Sequence, residues 1–183
     1  MTKMYFAENP DAKHDIHKLK VELLGQQMTF LTDAGVFSKK MIDYGSRVLL
    51  SALEFNKKET LLDVGCGYGT LGLTLAKAQE LEVTLVDINQ RALDLARKNA
   101  DANQVSADIF QSNVYEHVTG QFHHIISNPP IRAGKQVVHE VISGSYDHLL
   151  VDGDLTIVIQ KKQGAPSAKA KMEEVFGNCE TLK

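Results

Sequence analysis

Short apolar runs alternate with amphipathic stretches along most of this 183-residue chain. Runs rich in Val, Ile and Leu predict buried parallel strands, and apolar positions three and four apart predict helices. The predicted strands are residues 60–64, 82–87, 106–111, 122–127 and 155–160. The predicted helices are residues 69–79, 90–102, 135–150 and 167–176. This alternation predicts an α/β fold: a Rossmann-like, doubly wound, mostly parallel sheet with helices on both faces.

The pattern before this repeat is different. Residues 19–23 and 28–31 alternate apolar and polar positions on either side of a turn at Gly25, which predicts a β-hairpin. Apolar residues at helical spacing then predict a helix from about Asp43. The hairpin and this helix precede the first strand of the repeat.

We expect one domain over residues 1–183, with an N-terminal extension at 1–42 and a Rossmann-like core at 43–183. Near the end of the core, residues 152–154 read Asp-Gly-Asp and predict a turn. Residues 179–182 are predicted to begin a sixth strand after a helix that ends at a glycine.

The composition is that of a globular protein, with 43% hydrophobic and 23% charged residues and a net charge of −3. The charge argues against a globally basic nucleic-acid coat, although a local basic stripe would still allow an RNA substrate. No apolar run approaches the length of a membrane span. Two distant cysteines, Cys66 and Cys179, predict free thiols in a reducing cytoplasm. Side chains that could form a basic stripe, or that could each be an ordinary surface charge, are Lys39, Lys40, Arg132, Lys135, Lys161 and Lys162.

A glycine-rich turn follows the first strand of the repeat. Gly65, Gly67 and Gly69 occupy every second position, and a helical pattern starts directly after them. Glycine permits positive φ angles and lets a ligand approach the backbone where a Cβ would obstruct it. The helix that follows points free N–H groups and the positive end of its dipole at that ligand. The turn therefore predicts a site for a nucleotide-like ligand.

An acid ends the second strand of the repeat. Asp87 is placed to accept hydrogen bonds from both ribose hydroxyls of an adenosine. The alternative is that Asp87 only caps the helix that follows it. The glycine turn and the acid together favour the nucleoside site.

Two of the four prolines follow the fourth strand, in the sequence Asn128-Pro129-Pro130. They fix two φ angles and hold Asn128 in one orientation at the edge of the sheet where the ligand is expected. The Asn128 side-chain carbonyl and the Pro129 main-chain carbonyl would then be two acceptors for the hydrogens of an exocyclic amine. With S-adenosylmethionine as the adenosine ligand, the amine would attack the sulfonium methyl group in line. The alternative is a rigid turn without catalytic function.

These segments carry a resemblance to a known family. The motif from Asp63 to Gly69, with Asp87 and Asn128-Pro129-Pro130, resembles the amino-methylating class I S-adenosylmethionine-dependent methyltransferases. Within that class, residues 35–38 (Gly-Val-Phe-Ser) and residues 131–135 (Ile-Arg-Ala-Gly-Lys) resemble the short, single-domain form of the small-subunit ribosomal RNA guanine-N2 methyltransferase family. The resemblance covers nearly the whole chain.

The resemblance implies roles for individual residues. Asn128, Pro129 and Pro130 would be catalytic, and Ile131, Arg132 and Lys135 would contact the substrate. The residues implied to bind S-adenosylmethionine are Phe37, Ser38, Asp63, Gly65, Cys66, Gly67, Asp87, Ile88, Asn113 and Val114. The implied partner is ribosomal RNA or the small ribosomal subunit, with no metal and no membrane. A monomer is favoured, and the implied location is the cytoplasm.

The chain departs from the family pattern in three places. Ile131 stands where many amino methyltransferases have an aromatic residue that stacks on the target base, so Tyr5, Phe6 or Phe37 is expected to supply the stacking. Asn113 stands where an acid is common. No sequence is found for the final antiparallel strand of the family sheet, so we expect the chain to be incomplete.

Other functions use parts of the same pattern. A protein-glutamine or DNA-adenine methyltransferase would use the Asn-Pro-Pro sequence, and a nicotinamide oxidoreductase would use only the glycine turn and Asp87. A non-catalytic RNA-binding or assembly module would use only the cofactor site. Adjacent His123 and His124 suggest a metal site, but neighbouring strand residues face opposite sides. We expect one of the two to be packed and the other exposed.

Overall fold

The computed structural model describes residues 6–8 and 10–182, which contain a two-stranded antiparallel sheet and a five-stranded parallel sheet. The strands are β1 (His17–Leu23), β2 (Gln26–Thr32), β3 (Thr60–Val64), β4 (Glu82–Asp87), β5 (Ala107–Gln111), β6 (Phe122–Ser127) and β7 (Leu149–Ile157). The helices are α1 (Tyr44–Ala52), α2 (Thr70–Gln79), α3 (Gln90–Ala102), α4 (Lys135–Ser145) and α5 (Ala165–Phe176).

The parallel strands lie in the order β5-β4-β3-β6-β7. Within this sheet, the chain begins at the central strand β3, adds β4 and β5 on one side, and then returns to add β6 and β7 on the other side. The reversal falls between β3 and β6, which pair with each other. Ligands of open α/β sheets bind at such a point, outside the carboxyl ends of the strands.

Apolar layers cover both faces of the sheet. On one face, Leu61 and Leu85 pack into a cluster with residues of α1, α2, α3 and the hairpin. On the other, Leu62 and Val86 pack with Val141 of α4, and α5 joins α4 beside β7. The predicted α/β fold with helices on both faces is therefore confirmed, as is the hairpin formed by β1 and β2.

The region from residue 146 to residue 154 differs from the prediction. Helix α4 ends at Ser145, a 3-10 turn follows, and β7 already begins at Leu149, so residues 152–154 lie inside a strand. The pairing of β6 with β7 is irregular between Phe122 and His124, and Asp152 takes a φ of 65°. A Cβ on Gly153 would lie 2.8 Å from the Leu150 carbonyl oxygen. The Asp-Gly-Asp sequence therefore forms a β-bulge. A bulge favours the same residue types as a turn, because both need unusual backbone angles.

The predicted sixth strand is wrong for the described residues. No strand is present at residues 179–182, and no antiparallel strand joins the parallel sheet in the part of the chain that the structure describes. The alternating burial of a strand is missing there, because only Cys179 is partly buried and Leu182 is 53% exposed. The described helices include none with the length and apolar character needed to cross a membrane.

The hairpin is attached to the core through Asn99 in α3 and Asn103, which directly follows that helix. The Asn99 side chain accepts from the Leu31 N–H (2.7 Å) and donates to the Leu31 carbonyl (3.0 Å). Asn103 makes the same pair of hydrogen bonds with Thr29, at 2.9 and 2.8 Å. These side chains satisfy backbone groups at the edge of β2 that would otherwise be buried without partners.

The two adjacent histidines are both partly buried, so the expectation of one packed and one exposed side chain is wrong. His124 lies between two carboxylates, with Nε2 2.7 Å from Glu59 and Nδ1 2.8 Å from Asp154, and its ring stacks on Phe55. The hydrogen bonds to Asp154 and Glu59 raise the pKa of His124 against the opposing effect of burial, and the hydrogen bond from His124 lowers the pKa of Glu59 to about 2. His124 bridges β6, β7 and the segment before β3.

This arrangement predicts a pH-dependent contribution to stability. The raised His124 pKa stabilises the fold below the ordinary value of 6.5, and this stabilisation is lost as the pH rises through the folded-state pKa. The lowered Glu59 pKa stabilises the fold above 4.5. The substitution His124→Gln should therefore reduce the free energy of unfolding by about 1 kcal/mol more at pH 6 than at pH 8.5. Urea denaturation at both pH values measures this difference, with His117→Gln at an exposed site as the control. Equal losses at both pH values would contradict the prediction.

Candidate functional site

A cavity of about 320 Å³ opens at the carboxyl edge of the parallel sheet. It lies where β3, β4 and β6 end, so the strand order explains why distant parts of the sequence meet there. The predicted site residues that line it are Phe37, Ser38, Gly65, Cys66, Gly67, Asp87, Ile88, Asn113, Val114, Asn128, Pro129 and Pro130. The structure thus brings the glycine turn, the acid and the Asn-Pro-Pro sequence to one cavity.

The glycine turn has the geometry that its sequence predicts. Gly65 and Gly67 have φ angles of 73° and 57°, which other residues rarely adopt. A Cβ added to either would meet no atom within 4 Å, so the space beside both glycines is open to a ligand. The N–H groups of Gly65 and Cys66 both donate to the Val86 carbonyl at 2.9 Å, which fixes the turn against β4.

Asp87 connects this turn to the end of β4. One carboxylate oxygen accepts from the Gly67 N–H at 2.8 Å, and the other accepts from the Asn89 N–H at 2.9 Å. Burial raises the Asp87 pKa, and these backbone donors oppose the rise. The residue that caps α3 is Asn89, whose side chain accepts from the Ala92 N–H. Asp87 is therefore not the helix cap and is available at the cavity wall.

Asp63 lies behind the turn and does not line the cavity. Its side chain is fully buried; one oxygen accepts from the Gly72 N–H at 3.0 Å, and Oδ1 has no hydrogen-bond partner among the described residues. Burial, with a smaller contribution from Asp87, raises the Asp63 pKa to about 7. Direct contact between Asp63 and the cofactor stays a prediction.

The Asn-Pro-Pro sequence is anchored to the neighbouring strand. The Ser127 hydroxyl donates to the Val64 carbonyl at 2.7 Å, and both Ser127 and Pro129 are buried. Asn128 is only partly buried and faces the cavity together with the two prolines. The anchored loop after β6 therefore presents the polar side chain of Asn128 to the cavity.

The substrate residues implied by the resemblance lie outside the cavity. Ile131 begins a 3-10 turn and packs against the apolar cluster of Val138 and Ile142. Arg132 and Lys135 are exposed and do not line the cavity. The 3-10 turn directs Ile131 toward α4, and substrate contact by Ile131, Arg132 and Lys135 stays a prediction. Of the stacking candidates, Phe6 and Phe37 line the cavity, and Tyr5 lies outside the described residues.

Several residues that line the cavity were not predicted from the sequence as site residues. Tyr68, inside the glycine motif, is 3% exposed and donates its hydroxyl proton to the Ser38 carbonyl at 3.1 Å. Burial raises the Tyr68 pKa to about 12. Asp43 and Ser46, at the start of α1, also line the cavity and contact Asn128. Asp43 precedes a helix in the manner of a cap, but nothing in its local sequence indicates a tertiary contact with the loop after β6.

Comparison with known proteins identifies the family. The family described as Methyltransferase small domain matches residues 27–183, so the chain belongs to it. The predicted class, the S-adenosylmethionine-dependent methyltransferases with a class I fold, is therefore confirmed.

Similar proteins and a similar solved structure agree with this family assignment. The uncharacterised protein YbxB of Bacillus subtilis is 44% identical over 181 residues, covering 96% of this chain and 90% of that protein. Ribosomal RNA small subunit methyltransferase C of Erwinia tasmaniensis is 38% identical over 85% of this chain and 46% of its own length. The Thermus thermophilus 16S rRNA N2 G1207 methyltransferase, solved with AdoMet and guanosine, superimposes with a TM-score of 0.85 at 29% identity, over 92% of this chain and 47% of that one. The chain spans about half the length of these methyltransferase C relatives.

The buried carboxyl group of Asp63 predicts a second pH effect on stability. Its folded-state pKa of about 7 lies above the ordinary value of 3.8, so the fold favours the protonated form and loses stability as the pH rises between these values. The substitution Asp63→Asn removes this titration. Relative to the wild type, the variant should gain roughly 2 kcal/mol in the free energy of unfolding between pH 5 and pH 7. Urea denaturation across this range is the measurement, with Asp94→Asn on the exposed face of α3 as the control. If the free energy of unfolding changes with pH in the same way in the wild type and in Asp63→Asn, the predicted contribution of Asp63 is wrong.

Proposed function

We propose that this chain transfers a methyl group from S-adenosylmethionine to an exocyclic amine of a nucleobase, and that this amine is guanine N2 of small-subunit ribosomal RNA. The observation that carries the proposal is the position of Asn128-Pro129-Pro130 in the same cavity as the Gly65–Gly67 turn and Asp87. The similarity to the Thermus thermophilus structure with AdoMet and guanosine supports the choice of cofactor and base.

The residues around the cavity fit S-adenosylmethionine. The open space beside Gly65 and Gly67 suits the methionine part, and Asp87 has carboxylate lone pairs for the ribose hydroxyls. Asp63 does not line the cavity, but its Oδ1, which has no hydrogen-bond partner among the described residues, lies behind the turn and is proposed as the acid nearest the ammonium group. Residues that would enclose the adenosine part are Phe37, Ser38, Ile88, Asn113 and Val114. When bound, the cofactor supplies an electrophilic methyl group on a positively charged sulfur.

The protein would contribute positioning and electrostatics. The side-chain oxygen of Asn128 and the main-chain oxygen of Pro129 accept the two amine hydrogens, which directs the nitrogen lone pair toward the methyl group. The prolines hold these acceptors in place, so little reorganisation is required when the amine binds. The buried wall formed by Pro129 and Ser127 excludes water from one side of the reacting groups.

The surface around the cavity mouth suits single-stranded RNA. Lys40, Arg132 and Lys135 are exposed cations on segments that border the cavity. Lys39 contributes less, because its ammonium group pairs with Asp15 at 2.6 Å. Tyr44 is 79% exposed and directly follows Asp43 of the cavity wall, which supports a role in stacking on a base. We propose ribosomal RNA or the small ribosomal subunit as the partner, the cytoplasm as the location, and a single domain over residues 1–183.

Calorimetric titration and a methyl-transfer assay test the proposed function together. The wild type should bind S-adenosylmethionine and not NAD, and it should transfer a labelled methyl group to small-subunit RNA. The substitution Asn128→Ala should lower the turnover rate by about 10²-fold, because the amine loses one of its two acceptors, while cofactor affinity survives. Binding of neither cofactor would reject the proposal. Loss of both binding and turnover in Asn128→Ala would make the Asn-Pro-Pro sequence a structural turn.

Charge reversal tests the RNA-binding surface. The double substitution Lys40→Glu and Lys135→Glu should weaken RNA binding and lower the slope of log affinity against log salt by about 1 for each lost phosphate contact. Filter binding at several salt concentrations measures both quantities. The matched control is Lys57→Glu with Lys58→Glu, since these lysines are exposed at the opposite edge of the sheet, just before β3. Unchanged affinity and slope in the first variant would remove these lysines from the RNA-binding surface.

A further inference from the structure

The amide group of Asn128 is held by two side chains at the start of α1, those of Asp43 and Ser46. Its nitrogen Nδ2 lies 2.9 Å from Asp43 Oδ2 and 3.2 Å from Ser46 Oγ. We infer that Asp43 and Ser46 are positioning residues that fix the orientation of the Asn128 amide and leave its oxygen as the acceptor for the target amine. The inference rests on the proposed function and deepens it by adding the N-cap residue of α1 and Ser46 to the methyl-transfer site.

Chemistry determines which end of the amide faces the helix. An ionised carboxylate only accepts hydrogen bonds, so the group that faces Asp43 must be the NH₂ of Asn128. The second amide proton is directed to the Ser46 hydroxyl, which can accept it. With both protons engaged, Oδ1 is the one polar atom of this side chain that remains for a substrate.

The positions of Asp43 and Ser46 are themselves fixed. Asp43 caps α1, and the same oxygen that accepts from Asn128 also accepts from the Ser46 N–H at 3.0 Å. Ser46 is 4% exposed, so its side chain is confined by packing. Gly45 lies between them, and a Cβ there would be 3.3 Å from the Asp43 carboxylate and 3.5 Å from Asn128 Nδ2. The pair therefore forms a rigid acceptor surface and does not depend on Asn128 for its shape.

The orientation matters because an asparagine amide is nearly symmetric in shape and opposite in polarity at its two ends. Rotation by half a turn would present two N–H donors to the amine, whose own hydrogens also need acceptors. The prolines fix the backbone of the loop but cannot select between the two amide orientations. Asp43 and Ser46 supply that selection, and a charged acceptor holds the amide more strongly than a neutral one.

Substitutions can separate this role from helix capping. In Asp43→Ser, serine can still cap α1 by accepting from the Ser46 N–H, but it is too short to reach Asn128. Combined with Ser46→Ala, it leaves both amide protons of Asn128 without these partners. In Asp43→Asn, the amide oxygen can accept from both the Ser46 N–H and Asn128, so capping and orientation are retained. Ser51→Ala, near the other end of α1, serves as the matched control.

The kinetic result expected is a loss in turnover rate without loss in binding. The Asp43→Ser, Ser46→Ala variant should lower kcat by about 10²-fold, with S-adenosylmethionine affinity and the KM for RNA close to wild type. Asp43→Asn and the control should stay within a few-fold of wild type. In an Asn128→Ala background, the same double substitution should have little further effect. An unchanged kcat, or a loss in Asp43→Asn as large as in Asp43→Ser, would overturn the positioning role.

A spectroscopic measurement keeps the inference separate from the proposed function. The ¹⁵N and ¹H resonances of the Asn128 side-chain NH₂ report its hydrogen bonds whether or not methyl transfer occurs. They should move toward values of a solvated amide in the Asp43→Ser, Ser46→Ala variant and stay near the wild-type positions in Asp43→Asn. If wild type transfers no methyl group but the resonances shift as expected, the proposed function fails and the orientation of Asn128 stands. Resonances that do not respond to the double substitution would overturn the inference directly.

Discussion

The cavity depends on the way in which backbone N–H groups of the glycine turn are held by acceptors at the ends of two strands. Val86 provides a carbonyl, and Asp87 and Asp63 provide carboxyl groups, for N–H groups of the turn and of the helix behind it. Three of the five residues from Gly65 to Gly69 are glycines, so only Cys66 and Tyr68 pack their side chains, and the hydrogen bonds help to determine the shape of the turn. The protein therefore places two acids where burial disfavours their charge, and it keeps the space beside Gly65 and Gly67 open.

The second half of the cavity comes from the chain that precedes the Rossmann-like core. The loop at Phe37 and Ser38 is tied to the turn through the Tyr68 hydroxyl, and the start of α1 is tied to the Asn-Pro-Pro loop through Asp43. The Asn89 side chain adds a hydrogen bond to the Gly35 carbonyl at 2.9 Å. The same N-terminal segment thus contacts the cavity wall at both the glycine turn and the Asn-Pro-Pro loop.

Local patterns in the sequence were sufficient for most of the fold. Apolar runs and helical spacing depend on neighbouring residues, so β3, β4, β6 and α3 have the predicted bounds. The spacing of Gly65 and Gly67 and the acid at the end of β4 likewise predicted one wall of the cavity. Each of these features is encoded within a window of about 11–18 residues or fewer, which is the range over which periodicity is informative.

Other features depend on contacts that no local pattern contains. The Asp-Gly-Asp sequence at 152–154 has the composition of a turn, and only pairing with β6 makes it a bulge. Ile131 occupies the expected place in the motif, yet a 3-10 turn directs it into the apolar cluster beside α4. Asp43 looks like an ordinary helix cap, and its contact with Asn128 follows from the packing of α1 against the sheet edge. Local sequence patterns therefore predicted the residues that line the cavity better than the residues that hold them in place.

The side chain of Asn99 connects the hairpin to the glycine turn. Asn99 pairs with Leu31 of the hairpin and also donates to the carbonyl of Tyr68 in the glycine turn at 2.8 Å. Phe30 of the hairpin packs its ring against Tyr68, with centroids 5.7 Å apart. Removal of the hairpin would take partners away from both Asn99 and Tyr68, so the hairpin helps to hold the glycine turn in place. The shape of the cavity therefore depends on the hairpin as well as on the strands that carry the motifs.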